Sequence, residues 1–280
     1  MALKSAIINV MTMAAKKAAR GLVRDFGEVE QLQVSRKGPA DFVSVADKKA
    51  EKILVEELSK ARPGYGFLLE ETGELVGKDT RRRWIVDPLD GTTNFLHGIP
   101  HFAISIALEE DDKITAGIVY QPITDELFWS EIGNGTYLDN QRLRVSGRRD
   151  LLQSVVATGI PFAGRGTAAD QKRFLTEMAT IMPKVAGIRR FGAASLDLAY
   201  VAAGRYDGFW ESGLEAWDIA AGILLVREAG GSVTEFNGKT NMLKSGEILA
   251  TNTNLQGPLT RLLRDASKAS ATVDSGSAGN

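Results

Sequence analysis

Two aspartates three residues apart stand in the string Asp87-Pro88-Leu89-Asp90-Gly91-Thr92-Thr93-Asn94-Phe95. Converging carboxylates suit a hard divalent cation such as Mg²⁺, which takes oxygen ligands. Backbone N–H groups around Gly91 and Thr92 suit a phosphate. One loop could therefore hold a metal and the anion that the metal activates. The competing reading is a plain turn, because Asp-Pro and Asp-Gly are ordinary turn formers. The chain has no cysteine, so a thiolate nucleophile or ligand is excluded. Its two histidines, His97 and His101, lie outside the acidic string. They are spaced i, i+4, but Gly98 and Pro100 argue against a helix there, so they read as structural and not as a zinc pair. Phosphate-monoester hydrolysis is very slow uncatalysed and needs positioning and charge stabilisation more than covalent chemistry. A metal-activated water is the economical nucleophile for such a site.

The elements that must position these groups follow from the hydrophobic pattern. Trp84 to Val86 reads as a buried strand that stops at Asp87-Pro88, since proline cannot donate to a sheet ladder. Upstream, residues 2–26 read as a helix ended by Gly27, with Leu3, Ile7, Val10, Met11 and Ala14 at helical spacing. Lys37-Gly38-Pro39-Ala40-Asp41 is a loop by composition. Val43 to Leu58 is a second helix with Asp47 near its start, where an acid also serves as a cap or offsets the helix dipole. Tyr65 to Leu69 is a strand that runs into Glu70-Glu71-Thr72-Gly73. A glutamate pair in such a loop is ordinarily solvated. Phe102–Glu109, Lys113–Tyr120, Leu127–Ser130, Thr136–Leu138 and Arg142–Val145 form an antiparallel meander separated by turn signals. From residue 150 strands and helices alternate, ending in a helix over Leu255–Arg264, which predicts layered α/β packing. Within that half, Trp217-Asp218-Ile219-Ala220-Ala221-Gly222 places an aspartate at a helix start, where its simplest role is an N-cap.

The central string and the Trp217–Gly222 string together resemble the two signatures of the inositol monophosphatase family, within the Mg²⁺-dependent, lithium-sensitive sugar phosphatases. They occur in the right order, and the resemblance covers nearly the whole chain short of its tail. It implies an α/β fold, an alternating α-β-α-β-α sandwich with an antiparallel N-terminal sheet and a C-terminal α/β lobe. Residues 1–266 would form one domain, with lobes 1–149 and 150–266, followed by a disordered Ser/Ala/Gly-rich tail over 267–280. The implied metal ligands are Glu70, Asp87, the carbonyl of Leu89, Asp90 and Asp218, holding two to three Mg²⁺. The implied catalytic groups are Glu70, Asp47 and Thr92, with Thr92 coupled to Asp47 to orient the attacking water. Asp90, Gly91, Thr92, Arg189, Ala194, Glu211 and Asp218 would contact substrate. Glu211 also reads as a surface glutamate, and Arg189 as a charged strand end. Leu69 departs from the family, whose members usually carry glycine just before the metal-binding glutamate.

The implied activity is Mg²⁺-dependent hydrolysis of a phosphate monoester, with myo-inositol monophosphate first among small phosphorylated polyols. Fructose-1,6-bisphosphatase, histidinol-phosphatase and 3′-phosphoadenosine-nucleotide phosphatase activities are the alternatives. A non-catalytic role as a partner of the transcription machinery is a further one, and family members commonly form homodimers. At 280 residues and a formal net charge of -1, the chain can bury a sizeable core and carries no dominant nucleic-acid footprint. It has no apolar stretch long enough to span a bilayer. The absence of cysteine suits a reducing compartment, and a cytoplasmic location is expected. The basic start (Lys4, Lys16, Lys17, Arg20 and Arg24 before the first acid) reads either as a transit segment or as an amphipathic helix with solvated lysines.

Overall fold

A computed structural model describes residues 4–28, 34–36, 42–161 and 166–277. Helix α1 (Ala6–Phe26) is capped by Ser5, whose hydroxyl accepts the Ile8 N–H at 3.3 Å. Its buried stripe is Ile8, Met11, Ala14, Ala15, Ala18, Ala19 and Leu22, turned slightly from the expected Leu3–Ile7–Val10 line. Lys16 and Lys17 pair with Asp125 at 3.1 Å and Glu57 at 2.8 Å. A short ribbon follows, β1 (Val34–Arg36) against β2 (Phe42–Ser44). Helix α2 (Val45–Ala61) thus begins two residues later than expected, because Phe42 and Val43 are held in an antiparallel pair. The expected loop at Lys37–Asp41 lies outside the described residues.

The first sheet comprises β3 (Tyr65–Leu69), β4 (Gly73–Leu75), β5 (Asp79–Asp90), β6 (Ala103–Glu110), β7 (Lys113–Gln121), β8 (Glu126–Glu131), β9 (Gly135–Leu138) and β10 (Gln141–Arg142). Their spatial order is β10-β9-β8-β7-β6-β5-β3-β4, antiparallel except where β3 runs beside β5. Asp111 and Asp112 take positive φ in the β6–β7 turn (49° and 60°), the conformation that a tight hairpin needs. A one-turn helix, α3 (Thr92–Leu96), follows β5.

The second half holds β11 (Val155–Thr158), α4 (Ala168–Ile181), β12 (Gly187–Arg189), α5 (Ala194–Ala202), β13 (Gly208–Glu211), α6 (Ala216–Glu228), β14 (Ser232–Thr234), α7 (Met242–Ser245), β15 (Ile248–Thr251) and α8 (Gln256–Ser277). Its sheet runs β12-β11-β13-β15-β14, parallel about β11 and antiparallel about β15. The last helix runs on into the segment expected as a tail. Leu255, Leu259, Leu263 and Ala266 bury one face, and the helix continues past them to Ser277.

Side-chain alternation sorts the layers. Trp84 and Val86 of β5 pack with α1 and α2, whereas Ile85 between them packs with α5 and α6. The other face of the second sheet, through Val156, Trp210 and Leu249, meets Ile181 of α4 and Leu259 and Leu263 of α8. The order is helix pair, sheet, helix pair, sheet, helix pair. This is the expected α-β-α-β-α sandwich, an α/β layered fold.

Candidate active site

Strand β5 does not stop at Val86. It continues to Asp90, and its register against β6 slips on the way. Asp87 pairs with Ser105 and Asp90 with Ala103, so three steps on β5 match two on β6. Pro88, which has no N–H to give, lies inside that bulge. In a regular strand residues three apart point to opposite faces. One extra residue resets the alternation and lets Asp87 and Asp90 serve one site.

Neighbouring elements complete the constellation. Asp87 Oδ1 accepts the Leu89 N–H at 2.9 Å. Asp90 Oδ2 accepts both the backbone N–H of Ser195 at 2.8 Å and its hydroxyl at 2.5 Å, so the start of α5 is fastened to the central loop. Gly91 takes φ +94°, and a Cβ there would lie 3.0 Å from the His101 carbonyl, so any larger residue is strained there. Thr92 donates to the Leu89 carbonyl at 2.9 Å and lies 3.4 Å from Asp47 Oδ2. Asn94 donates to the His101 and Phe191 carbonyls at 2.8 and 2.7 Å, tying α3 to the approach of α5. Ser105, the β6 partner of Asp87, donates to the Trp217 carbonyl at 3.3 Å and brings the start of α6 to the site. Asp218 is not the N-cap of α6. Glu215 is, and Asp218 at the third helical position accepts the Glu215 N–H at 2.7 Å.

The electrostatics record the convergence. Asp87, 1% exposed, has its carboxyl pushed well above the usual carboxylate range, first by burial and then by the charges of Glu70, Asp90, Asp218 and Asp47. The carboxylates of Asp47, Glu70 and Glu71 also gather, with oxygens within 4.8 Å of one another. An all-carboxylate donor set that repels itself fits a hard divalent cation. The structure thus brings Asp47, Glu70, Asp87, Asp90 and Asp218 into one field.

The expected substrate contacts separate into two groups. Ala194 opens α5 beside Ser195, and Glu211 ends β13 against Gly159, where any Cβ would collide with its carboxylate. Between them, buried Asp197 is pushed well above the carboxylate range by burial, then by Glu211 and Asp90, with Arg190 pulling it back. Glu211 and Asp90 thus both bear on Asp197 of α5. Arg189 is exposed and folds back, donating to the Ile188 carbonyl at 3.1 Å. His97 caps the end of α3. His101 packs against Phe191 at 5.0 Å and Tyr200 at 6.0 Å, and burial lowers its pKa to about 4. Sequence reasoning missed Ser195, Ser105 and Glu71; of these only Glu71 had a signal, its place beside Glu70.

Comparison with known proteins bears on the same residues. The model of the inositol monophosphatase family matches residues 3–269. An inositol-1-monophosphatase of Mesorhizobium japonicum is 57% identical over 93% of this chain and 97% of its own length. The Nus factor SuhB of Escherichia coli K12 is 41% identical over 92% of this chain and 96% of its own. The crystal structure of extragenic suppressor protein suhB from Bartonella henselae matches with a TM-score of 0.89 at 57% identity, covering 92% of this chain and 98% of that one.

Proposed function

The chain belongs to the inositol monophosphatase family, and on that premise we propose that it hydrolyses a phosphate monoester, with myo-inositol monophosphate as substrate and Mg²⁺ as cofactor. The observation that carries this reading is the buried Asp87 carboxyl, held up by burial and the carboxylates of Glu70, Asp90, Asp218 and Asp47. Glu70, Asp87, the Leu89 carbonyl, Asp90 and Asp218 would hold two to three Mg²⁺. Bound there, the ions would neutralise phosphate charge and lower the pKa of water.

The chain's own groups have distinct tasks in this proposal. Thr92 sits between an acceptor carbonyl and the Asp47 carboxylate, so its hydroxyl donates to one of them and accepts from a water. Asp47, 1% exposed, takes up the proton that the water sheds. Glu70 shares in orienting that water. The N–H groups of Gly91 and Thr92 meet the phosphate at the start of α3, and Asp90 and Asp218 bound it on either side. Ala194 and Glu211 take hydroxyls of the leaving alcohol. Arg189 joins them only by swinging away from the Ile188 carbonyl.

Phosphate release from purified full-length chain tests this, with Mg²⁺ titrated and EDTA as control. Four substrates are compared: myo-inositol 1-phosphate, fructose 1,6-bisphosphate, histidinol phosphate and 3′-phosphoadenosine 5′-phosphate. The expected result is the highest kcat/KM for the inositol ester, no turnover in EDTA, and inhibition by millimolar Li⁺. A better rival moves the substrate and keeps the reaction class. No hydrolysis of any ester at saturating Mg²⁺ sinks the proposal.

A second role is supported by the relatives called Nus factor SuhB, which are 41% to 44% identical to this chain. In that role the chain is a cytoplasmic, homodimeric partner of the transcription machinery, independent of turnover. Pull-down of that machinery with an Asp90→Asn variant separates the roles, since retained capture without hydrolysis supports both. Light scattering at micromolar concentration reads the oligomeric state, and a monomer mass removes the dimer.

A further inference from the structure

One helical turn beyond Asp47, α2 carries a second buried acid. Glu51 is 3% exposed, and i, i+4 spacing puts it on the same helix face as Asp47. Its two oxygens serve a different purpose from those around Asp87. Oε2 accepts the backbone N–H of Glu71 at 2.9 Å, and Oε1 accepts the hydroxyl of Thr72. Both donors belong to the three-residue tip, 70–72, that joins β3 to β4. The tip is closed by the pairing of Leu69 with Gly73, whose φ of +82° suits a hairpin of this length. The same tip presents Glu70.

Burying a carboxylate costs free energy unless donors compensate it. Here it also adds negative charge beside an acidic site. Glutamine would fill the same volume without that charge, but its amide offers one acceptor oxygen and an NH₂ donor. With that oxygen on the Glu71 N–H, its NH₂ would face Thr72, whose hydroxyl would have to accept where it now donates. A side chain that accepts on both oxygens accounts for the carboxylate. The base of the clamp is rigid, because Ala50, Leu54 and Leu58 of α2 share one buried core with Leu69 of β3.

We propose that Glu51 is a positioning residue for the metal-binding turn: by holding Glu71 N–H and Thr72 O–H it aims Glu70 at Asp87 without binding the cation itself. The inference rests on the reading of Glu70 as a metal ligand. Groups that orient ligands in this way typically change metal affinity about 10–100-fold when altered.

The test is calorimetric titration of Mg²⁺ into EDTA-stripped full-length chain, alongside the Mg²⁺ dependence of hydrolysis. Glu51→Leu, which removes both acceptors, and Thr72→Val should each weaken Mg²⁺ binding about tenfold, while kcat at saturating Mg²⁺ falls much less. Thr72→Ser, which keeps the hydroxyl, should bind as wild type does. If Glu51→Leu does not fold, the exposed Thr72 pair decides alone. Glu70→Gln separates the two claims. Unchanged affinity in Glu70→Gln overturns the ligand reading and the clamp with it. Weakened binding in Glu70→Gln, with Thr72→Val binding as wild type and merely melting lower, overturns the clamp and leaves the ligand reading standing.

Discussion

At its start β5 sets Arg82 between Asp79 at 2.9 Å and Glu110, and Arg83 beside Glu109 and, at 3.3 Å, Glu74. At its end the same strand sets Asp87 and Asp90 among other acids, with Leu89 N–H and Ser195 as their donors. The first end is half in solvent, where paired charges are well hydrated and contribute little to stability. The second end is buried, where gathered carboxylates raise one another's pKa. Arginines at the far end of the strand show that this sequence can match acids with cations. Their replacement by acids and backbone donors near Asp87 leaves a field that a cation relieves, at a cost in stability that the surrounding core offsets.

Asp90→Asn should have the largest effect. It keeps size and one acceptor but removes charge and weakens the grip on Ser195. Turnover at saturating Mg²⁺ should fall about a hundredfold or more, with near-UV circular dichroism unchanged. Wild-type turnover in this variant would show that the acidic end of β5 is not the reacting end.

Gly91→Ala is next. It forces a Cβ into positive φ and against the His101 carbonyl, at about 1–2 kcal/mol of backbone strain. Both Tm and kcat should drop, since Asp90 and Thr92 flank the strained residue. A melting curve that overlays the wild type would mean the loop relaxes freely.

Glu177 stands between the two kinds of acid. It is buried, with Arg173 at 3.6 Å and the Trp210 N–H at 3.2 Å, and burial still lifts its pKa from 4.5 to about 7 against the pull of Arg173. The folded chain keeps this proton up to about pH 7, whereas the unfolded chain gives it up near 4.5. The contribution to stability is therefore full below 4.5, falls as pH rises to about 7, and stays lost above. Glu177→Gln should gain on the order of 1–2 kcal/mol over wild type at pH 8, with the advantage gone at pH 4. Urea unfolding at the two pH values reads it, and a pH-independent difference would show that Arg173 keeps Glu177 charged.

Arg82→Ala should do least. It breaks half-buried pairs at the other end of β5, so kcat and Mg²⁺ dependence should not move, and Tm should shift less than for Glu177→Gln. A change in Mg²⁺ half-saturation would show that the two ends of the strand communicate.

Asp87, Asp90 and Gly91 lie within five residues, so their chemistry is written in adjacent letters. Asp218 has the Trp217–Gly222 string around it, and Glu70 follows an apolar strand. The meander shows through period-two alternation and Gly, Asn and Asp turns, and the second half through strand–helix alternation. Each of these signals is local, and local signals are what a chain displays before it folds.

Other features depend on partners far away in the chain. Ser195 meets Asp90 across 105 residues, and nothing in Ala194-Ser195-Leu196 sets that hydroxyl apart from an ordinary helix start. Glu51 gains its role only when β3 and β4 bring Glu71 and Thr72 to it, 20 and 21 residues on. The bulge at Pro88 needs β6 to define a register before an extra residue has meaning. Composition marks 267–280 as a tail, yet the helix that buries Leu263 and Ala266 carries the backbone on to Ser277. The sequence supplies the two acidic strings and the strand–helix alternation, and the family that those strings resemble implies the carboxylates proposed to share a cation and the layers that carry them. Which face each acid points to, and which donors hold it there, was decided by packing, because a side chain's direction depends on the register of strands and helices that meet only in the folded chain.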